Sequence, residues 1–255
     1  MNDALYIKRI VLREEPRADR YPGSLPVVRN LYGMGGLSLQ APVTFLVGEN
    51  GIGKSTLIEA IAVAMGFNPE GGSKNFRFST CNSHSDLYRH LLIEKSFKRI
   101  KDGFFLRAES FYNVASNIDE LDAQPASAPY VIESYGGVSL HRQSHGESFL
   151  ALVENRFGGE GIYILDEPEA ALSPNRLMRL LVLIHELVKK NSQFIISTHS
   201  PILMAYPNAE ILELTEDAIR RVSYEQTDHF RLTKQFLDQP QKMLRLLLES
   251  DGEET

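Results

Sequence analysis

The chain has 255 residues, 43% apolar and 24% charged, with a formal net charge of −6 and one cysteine, Cys81. That length allows one large domain with an ample core, and the composition is that of an ordinary soluble globular protein. The acidic balance argues against a chain-wide basic surface, one cysteine rules out an internal disulfide, and no apolar run approaches the ~20 residues needed to cross a bilayer.

The opening "MNDALYIKRIVLREE" lacks the apolar core of a signal peptide, so a cytoplasmic protein without membrane insertion is expected. Residues 5–13, "LYIKRIVLR", alternate as a strand does. "YPGSLPVV" (21–28) reads as loop from its Pro and Gly, and "LSLQAPVTFLVG" (37–48) as a hairpin arm leading into a buried strand. From Thr56 the period becomes helical: Leu57, Ile58, Ile61, Ala64 and Met65 recur at three- and four-residue spacings, and Gly66 can end the helix. Residues 69–85 read as irregular, 86–99 as a mixed helix, "GFFLRAES" as a strand and "DELDAQPASAPY" (119–130) as loop.

Farther on, "GESFLALVENRF" predicts a helix and "GIYILDE" (161–167) a buried strand ending in acids. "SPNRLMRLLVLIHELVKKN" predicts a capped helix, with Ser173 as N-cap, Pro174 in the first turn and Lys189 and Lys190 at the negative end. "QFIISTHS" (193–200) is another buried strand, and "ESDGEET" a frayed acidic tail. Short apolar runs alternating with helices imply an α/β fold with a mostly parallel sheet flanked by helices.

Four segments carry chemistry. "GENGIGKS", Gly48 to Ser55, fits the phosphate loop G-x-x-x-x-G-K-[ST] and sits between a strand and an amphipathic helix, as that motif requires. Its glycines let backbone N–H groups turn toward phosphates, and the helix N-terminus adds positive potential. Lys54 would reach the β- and γ-phosphates and Ser55 would ligate Mg²⁺. Asp166 and Glu167 close a buried strand, the edge where open parallel sheets bind ligands; one can associate with Mg²⁺ and the other orient water. Two acids before Pro168 could merely start a turn, but the phosphate loop makes that the weaker reading. His199 ends a further strand, and although a lone histidine is more often structural, that edge favours contact with a γ-phosphate.

The fourth segment, "QSHGES" (143–148), offers Ser144, His145, Glu147 and Ser148 around Gly146. Sequence neighbours project in different directions, which argues against a hydrolase triad within six residues. The helix that follows suggests an anion site instead.

These pieces in this order, "GENGIGKST", "QSHGES", "YILDEPEAALSP" and "STHS", resemble the ATP-binding cassette (ABC) ATPases over residues 40 to 205. "DEPEAALSP" is closer to the soluble RecF-like and OLD-like members and SMC heads than to the transporters' form, and the thirty-odd residues between "RAES" and "QSHGES" leave no room for coiled-coil arms. The resemblance implies a single P-loop NTPase domain plus a small helical or irregular lobe. Residues 1–66 and 155–225 would form the nucleotide-binding lobe, 67–154 the helical and signature lobe, and 226–255 a C-terminal helix and acidic tail. It implies a homodimer that forms on ATP, with "QSHGE" in place of "LSGGQ" facing the partner's nucleotide through Ser144, Gly146 and Glu147.

Carried over by position, Gly48, Asn50, Gly51, Gly53, Lys54, Ser55 and Thr56 would hold ATP. Glu167 would activate water, with Lys54 and His199 assisting. Ser55 and Asp166 would hold Mg²⁺, with Glu109 standing where the family has glutamine. Tyr21 and Tyr32 are the aromatic candidates for adenine. Cys81, His84 and His90 make a poor zinc site without a fourth ligand. Lys74, Arg77, Lys95, Lys98, Arg99 and Lys101 form basic clusters that could meet nucleic acid or simply be solvated. The reading is therefore a soluble ATPase driving a conformational switch in a partner, DNA or a nuclease, in DNA repair or defence against foreign DNA. The alternative is the nucleotide-binding subunit of a membrane transporter.

Overall fold

The computed structural model describes residues 5–73, 85–108, 111–123, 131–137, 139, 141 and 144–249. Its centre is a six-stranded sheet in the order β5-β6-β7-β3-β8-β9. These strands are β3 (Val43–Gly48), β5 (Asp102–Arg107), β6 (Gly161–Asp166), β7 (Gln193–Ser197), β8 (Glu210–Leu214) and β9 (Ile219–Val222). All neighbours are parallel except β9, which runs antiparallel to β8. Every residue of β3, β6 and β7 is buried, the condition of a parallel sheet covered on both faces.

The period of two divides the apolar residues between two cores. Phe45, Phe104, Tyr163 and Phe194 pack with α4 (Phe111–Ala123), α5 (His145–Arg156) and α6 (Pro174–Lys189). Leu46, Phe105, Ile162, Ile164 and Ile195 face the other way, onto α1 (Pro26–Gly33) and α2 (Lys54–Ala64). A small antiparallel sheet of β2 (Leu37–Ser38), β1 (Ile7–Leu12) and β4 (Leu91–Lys95) covers this second side. Gln193, fully buried at the start of β7, joins the two sheets: its Oε1 accepts from the N–H groups of Tyr6 and Ile7, each at 2.8 Å, and its Nε2 donates to Ile7 O.

At the opposite end of the sheet from the phosphate loop, Asp102 opens β5 and accepts from Arg156 at 2.8 Å, from the Gly158 N–H at 2.8 Å and from the Tyr163 hydroxyl at 2.7 Å. This ties the edge strand β5 to the end of α5. The chain continues through the short α7 (Pro201–Met204) to two amphipathic helices, α8 (Asp228–Asp238) and α9 (Pro240–Glu249), whose Leu232, Leu237, Leu246 and Leu248 are exposed.

Four local expectations are corrected. Residues 26–28 open α1, where Pro26 fits the first turn and Val27, Val28 and Leu31 share a buried face. The segment 37–48 is no hairpin: β2 pairs with β1 while β3 enters the other sheet. Within 86–99, α3 (Leu87–His90) is one turn, and 91–95 form β4, because pairing with β1 supplies hydrogen bonds that local helical spacing cannot outweigh. Residues 119–123 continue α4, since Phe111, Ala115 and Ile118 keep one buried stripe running into them. Residues 74–84 and residues 250–255 of the acidic tail lie outside the described residues.

Candidate functional site

β3 delivers the chain into the loop Gly48–Gly53 at the carboxyl edge of the sheet. Gly48, Gly51 and Gly53 have φ of 145°, 85° and 102°, in the region where an L side chain is strained. A Cβ on Gly48 would stand 2.2 Å from Leu214 O of β8, and one on Gly53 would stand 2.7 Å from Val27 Cγ1 of α1. The loop is therefore closed down on both flanks, and only glycine fits those points. Asn50 lies on its exposed crest.

Lys54, 4% exposed at the start of α2, donates from Nζ to the carbonyls of Gly48 and Glu49, each at 2.8 Å. Its ammonium thus lies against the inside of the loop. Burial lowers its pKa, and the carboxylates of Glu167, Asp166 and Glu169 counter that pull. Thr56 Oγ1 is 3.3 Å from the Tyr21 hydroxyl, so of the two aromatic candidates Tyr21 borders the loop; Tyr32 sits on α1.

The ends of β5, β6 and β7 are in register, with Asp166 beside Arg107 on one flank and Ser197 on the other. The Ser197 hydroxyl donates to Asp166 Oδ1 at 2.5 Å, Arg107 Nε lies 3.5 Å from Oδ2, and the Ser55 hydroxyl hydrogen-bonds the same carboxylate. Arg107 also reaches Glu59 Oε2 at 2.7 Å, and Glu59 Oε1 accepts the Ser85 N–H. Burial raises the Asp166 pKa, against the bonds from Ser197 and Arg107. A hydroxyl and a carboxylate in contact are hard oxygen donors, the set that magnesium prefers.

Glu167 adopts a left-handed conformation, φ 49° and ψ 53°, which costs a non-glycine residue on the order of 1 kcal/mol. Its N–H is held by Ser197 O and Oγ, each at 3.1 Å, and its Oε1 lies 3.5 Å from His199 Nε2. The His199 backbone N–H donates to Glu169 Oε1 at 2.5 Å, linking the turns after β6 and β7. Burial raises the Glu169 pKa, opposed first by that N–H. His199 Nδ1 is 2.9 Å from His229 Nε2 at the start of α8.

The signature residues make their contacts with α6 and with the turn that follows Glu167. Ser144 caps α5; its N–H donates to Glu147 Oε2 at 3.0 Å and its hydroxyl to the same oxygen at 2.6 Å. These bonds, the hydroxyl's first, lower the Glu147 pKa. Arg176 of α6 lies 3.0 Å from Glu147 Oε1 and 3.3 Å from Ser144 Oγ. A Cβ on Gly146 would stand 2.5 Å from Arg176 Nη1 and 2.8 Å from Ala171 O. The contacts of 144–147 thus run to Ala171 and Arg176, while Lys54, Ser55, Asp166, Glu167 and His199 gather at the carboxyl ends of β3, β6 and β7.

Glu109, Lys74, Arg77, Cys81 and His84 lie outside the described residues, and His90 bonds Glu14 at 2.6 Å. Arg107, Glu169, Arg176, Ser197 and His229 join the site without being among the residues expected there. Ser197 stood legible at a strand end beside His199; His229 carried no local signal, thirty residues away in a polar segment.

A family model described as "AAA domain, putative AbiEii toxin, Type IV TA system" matches residues 138–205, and one described as "AAA domain" matches residues 35–124. An "Uncharacterized ABC transporter ATP-binding protein" of Haemophilus influenzae is 27% identical over 184 residues, 67% of this chain and 69% of that protein. The structure resembles that of cbiO1 from Clostridium perfringens, part of the ABC transporter complex cbiONQ. The TM-score is 0.52 at 17% identity, over 96% of this chain and 99% of that one. It also resembles MJ1267, an ATP-binding cassette of an ABC transporter, with a TM-score of 0.50 at 17% identity over 92% and 96% of the two chains.

Proposed function

Starting from the premise that this chain is an ATPase of the ABC class, we propose that it binds Mg-ATP and closes head-to-tail as a homodimer around it. Hydrolysis then drives a conformational switch in a partner. The observation that carries this reading is the division of the motifs. Lys54, Ser55, Asp166, Glu167 and His199 converge on one edge, while Ser144 and Gly146 at the α5 N-terminus have their contacts with Ala171 and Arg176. Each half is incomplete within one copy, and a second copy supplies what is lacking.

In this reading Gly48, Asn50, Gly51 and Gly53 present backbone N–H groups to the phosphates, and Lys54 exchanges its two carbonyl partners for phosphate oxygens. Ser55 and Asp166 hold magnesium, which screens the negative charge on the phosphate oxygens. Ser197 fixes the Glu167 backbone and Glu169 that of His199, so the Glu167 carboxylate stands ready to take a proton from the attacking water, and His199 contacts the terminal phosphate. In the partner's site, Ser144, Gly146 and the α5 N-terminus face the same phosphate. Glu147 already serves Ser144 and Arg176, so its part there is to hold that end in shape rather than to touch an anion that would repel it.

The partner is DNA or a DNA-processing protein, in repair or in defence against foreign DNA, and the protein works in the cytoplasm. The β4–β5 loop supports this: Phe97 is fully exposed between exposed Lys95, Lys98 and Arg99, an aromatic face among cations suited to a nucleic-acid strand. Lys101 is engaged by Glu160 at 2.7 Å. The family description that names a toxin–antitoxin system agrees with a defence role. The Haemophilus relative favours a second reading, the nucleotide-binding subunit of a transporter; among the described residues no helix is long and apolar enough to cross a membrane.

The deciding experiment is the solution size of Glu167→Gln with and without Mg-ATP, repeated with DNA. The expected result is a monomer alone and a persistent dimer with Mg-ATP, since binding survives when the proton acceptor is lost. A variant that stays monomeric at saturating nucleotide refutes the shared-site reading, and one that turns ATP over normally moves the catalytic role off Glu167.

A further inference from the structure

We propose that His229 is a positioning residue: it donates a hydrogen bond from Nε2 to His199 Nδ1 and so holds the proton of His199 on Nε2, the nitrogen aimed at Glu167. The inference rests on the reading of His199 as the histidine that meets the terminal phosphate.

The geometry leaves two ways to place the protons. His199 Nδ1 and His229 Nε2 are 2.9 Å apart, so when both rings are neutral one nitrogen donates and the other accepts. If His199 donated from Nδ1, its Nε2 would carry a bare lone pair. That nitrogen is buried, makes no hydrogen bond among the described residues, and lies 3.5 Å from Glu167 Oε1. A lone pair facing a carboxylate is repulsive. With His229 as donor, the His199 proton moves to Nε2 and faces an acceptor, so electrostatics select this arrangement. It is also the form that can donate to a phosphate oxygen. The state of one imidazole nitrogen is set by the bond that the other makes.

Neutrality of both rings is favoured by their surroundings. Burial lowers the pKa of His199, with the Lys54 charge acting the same way. Burial likewise lowers that of His229, joined by His199 and Lys54 and opposed by Asp228.

His229 is also held in place. Thr227, fully buried, caps α8: its hydroxyl donates to Tyr224 O at 2.8 Å and accepts the Phe230 N–H at 3.3 Å. The Tyr224 and Phe230 rings pack with centroids 4.5 Å apart. The first turn of α8 is thus fastened beside the catalytic edge, whereas farther along the helix Leu232 and Leu237 are exposed.

The test uses the full chain with His229→Leu, which keeps bulk and removes the donor, and His229→Gln, whose amide can restore it. Turnover should fall on the order of 10- to 100-fold in His229→Leu, the usual effect of removing a group that orients a functional histidine. Affinity for a non-hydrolysable ATP analogue should stay within about twofold, and His229→Gln should recover most of the rate. His199→Ala should cost no more when His229→Leu is added, because both act through one nitrogen. Imidazole nitrogen NMR of the unmodified protein should show His199 protonated on Nε2.

Wild-type turnover in His229→Leu, Gln no better than Leu, or a proton on His199 Nδ1 overturns the proposal. Should the leucine variant not fold, the glutamine variant and the NMR measurement decide. Glu167→Gln separates the two ideas: if it is inactive while His229→Leu is normal, only the role of His229 falls. If Glu167→Gln itself hydrolyses ATP normally, the catalytic reading beneath it falls.

Discussion

Gly146→Ala sets two effects of known sign against each other. Alanine is favoured over glycine inside a helix by at most about 1 kcal/mol, and Gly146 is the second residue of α5. Opposing this, the added Cβ would stand 2.5 Å from Arg176 Nη1, 3.0 Å from Arg176 Cδ and 2.8 Å from Ala171 O. The guanidinium is the end of a flexible side chain and can withdraw, at the cost of surface contacts with Glu147 and Ser144 worth ~0–1 kcal/mol. The Ala171 carbonyl belongs to the backbone and must shift, and such overpacking costs about 1–3 kcal/mol. The clash wins, by roughly 1–2 kcal/mol, so the melting temperature should drop on the order of 5 °C.

Such a loss leaves the protein folded at 25 °C, so stability alone would spare activity. Ala171 lies in the turn that follows Glu167, and the α5 N-terminus is the surface offered to the second copy. ATP turnover and analogue-induced dimerisation should therefore fall severalfold, far beyond the unfolded fraction. Thermal melts, turnover and size measurement on one preparation make the test. A raised melting temperature with normal turnover would mean that the propensity term dominates and that Gly146 has no need of its missing side chain.

Lys54→Ala should abolish ATP binding by calorimetry yet change stability by no more than about 1 kcal/mol, because lost bonds to Gly48 O and Glu49 O are offset by removal of a desolvated charge; unaltered ATP affinity would refute the phosphate-loop assignment. Asp102→Asn should destabilise by about 1–3 kcal/mol at neutral pH, measured by denaturant titration, since Arg156 loses its charged partner. The Asp102 pKa is lowered: burial would raise it, but Gly158, Tyr163 and Arg156 together prevail. A depressed carboxyl contributes stability that is present above its unfolded pKa and lost as pH falls through its folded value. The asparagine variant should therefore show a flatter decline below about pH 4, and an unchanged acid profile would refute this role.

What the sequence determined by itself is local. The phosphate loop, the strand before it and the helix after it are contiguous, so glycine spacing and apolar period display them together. The same holds for "GIYILD", "QFIIS" and α6, whose apolar period survives without knowledge of neighbours. The sequence misread 86–99 and the pairing of 37–38, because β4 and β2 exist only through pairing with β1, and cross-strand hydrogen bonds leave no imprint on the spacing within one segment. Tertiary structure alone decided which side chains stand around Asp166 and His199. Arg107, Ser197 and His229 arrive there by strand register and by the docking of α8, and a contact between residues 30 positions apart depends on how separate elements pack.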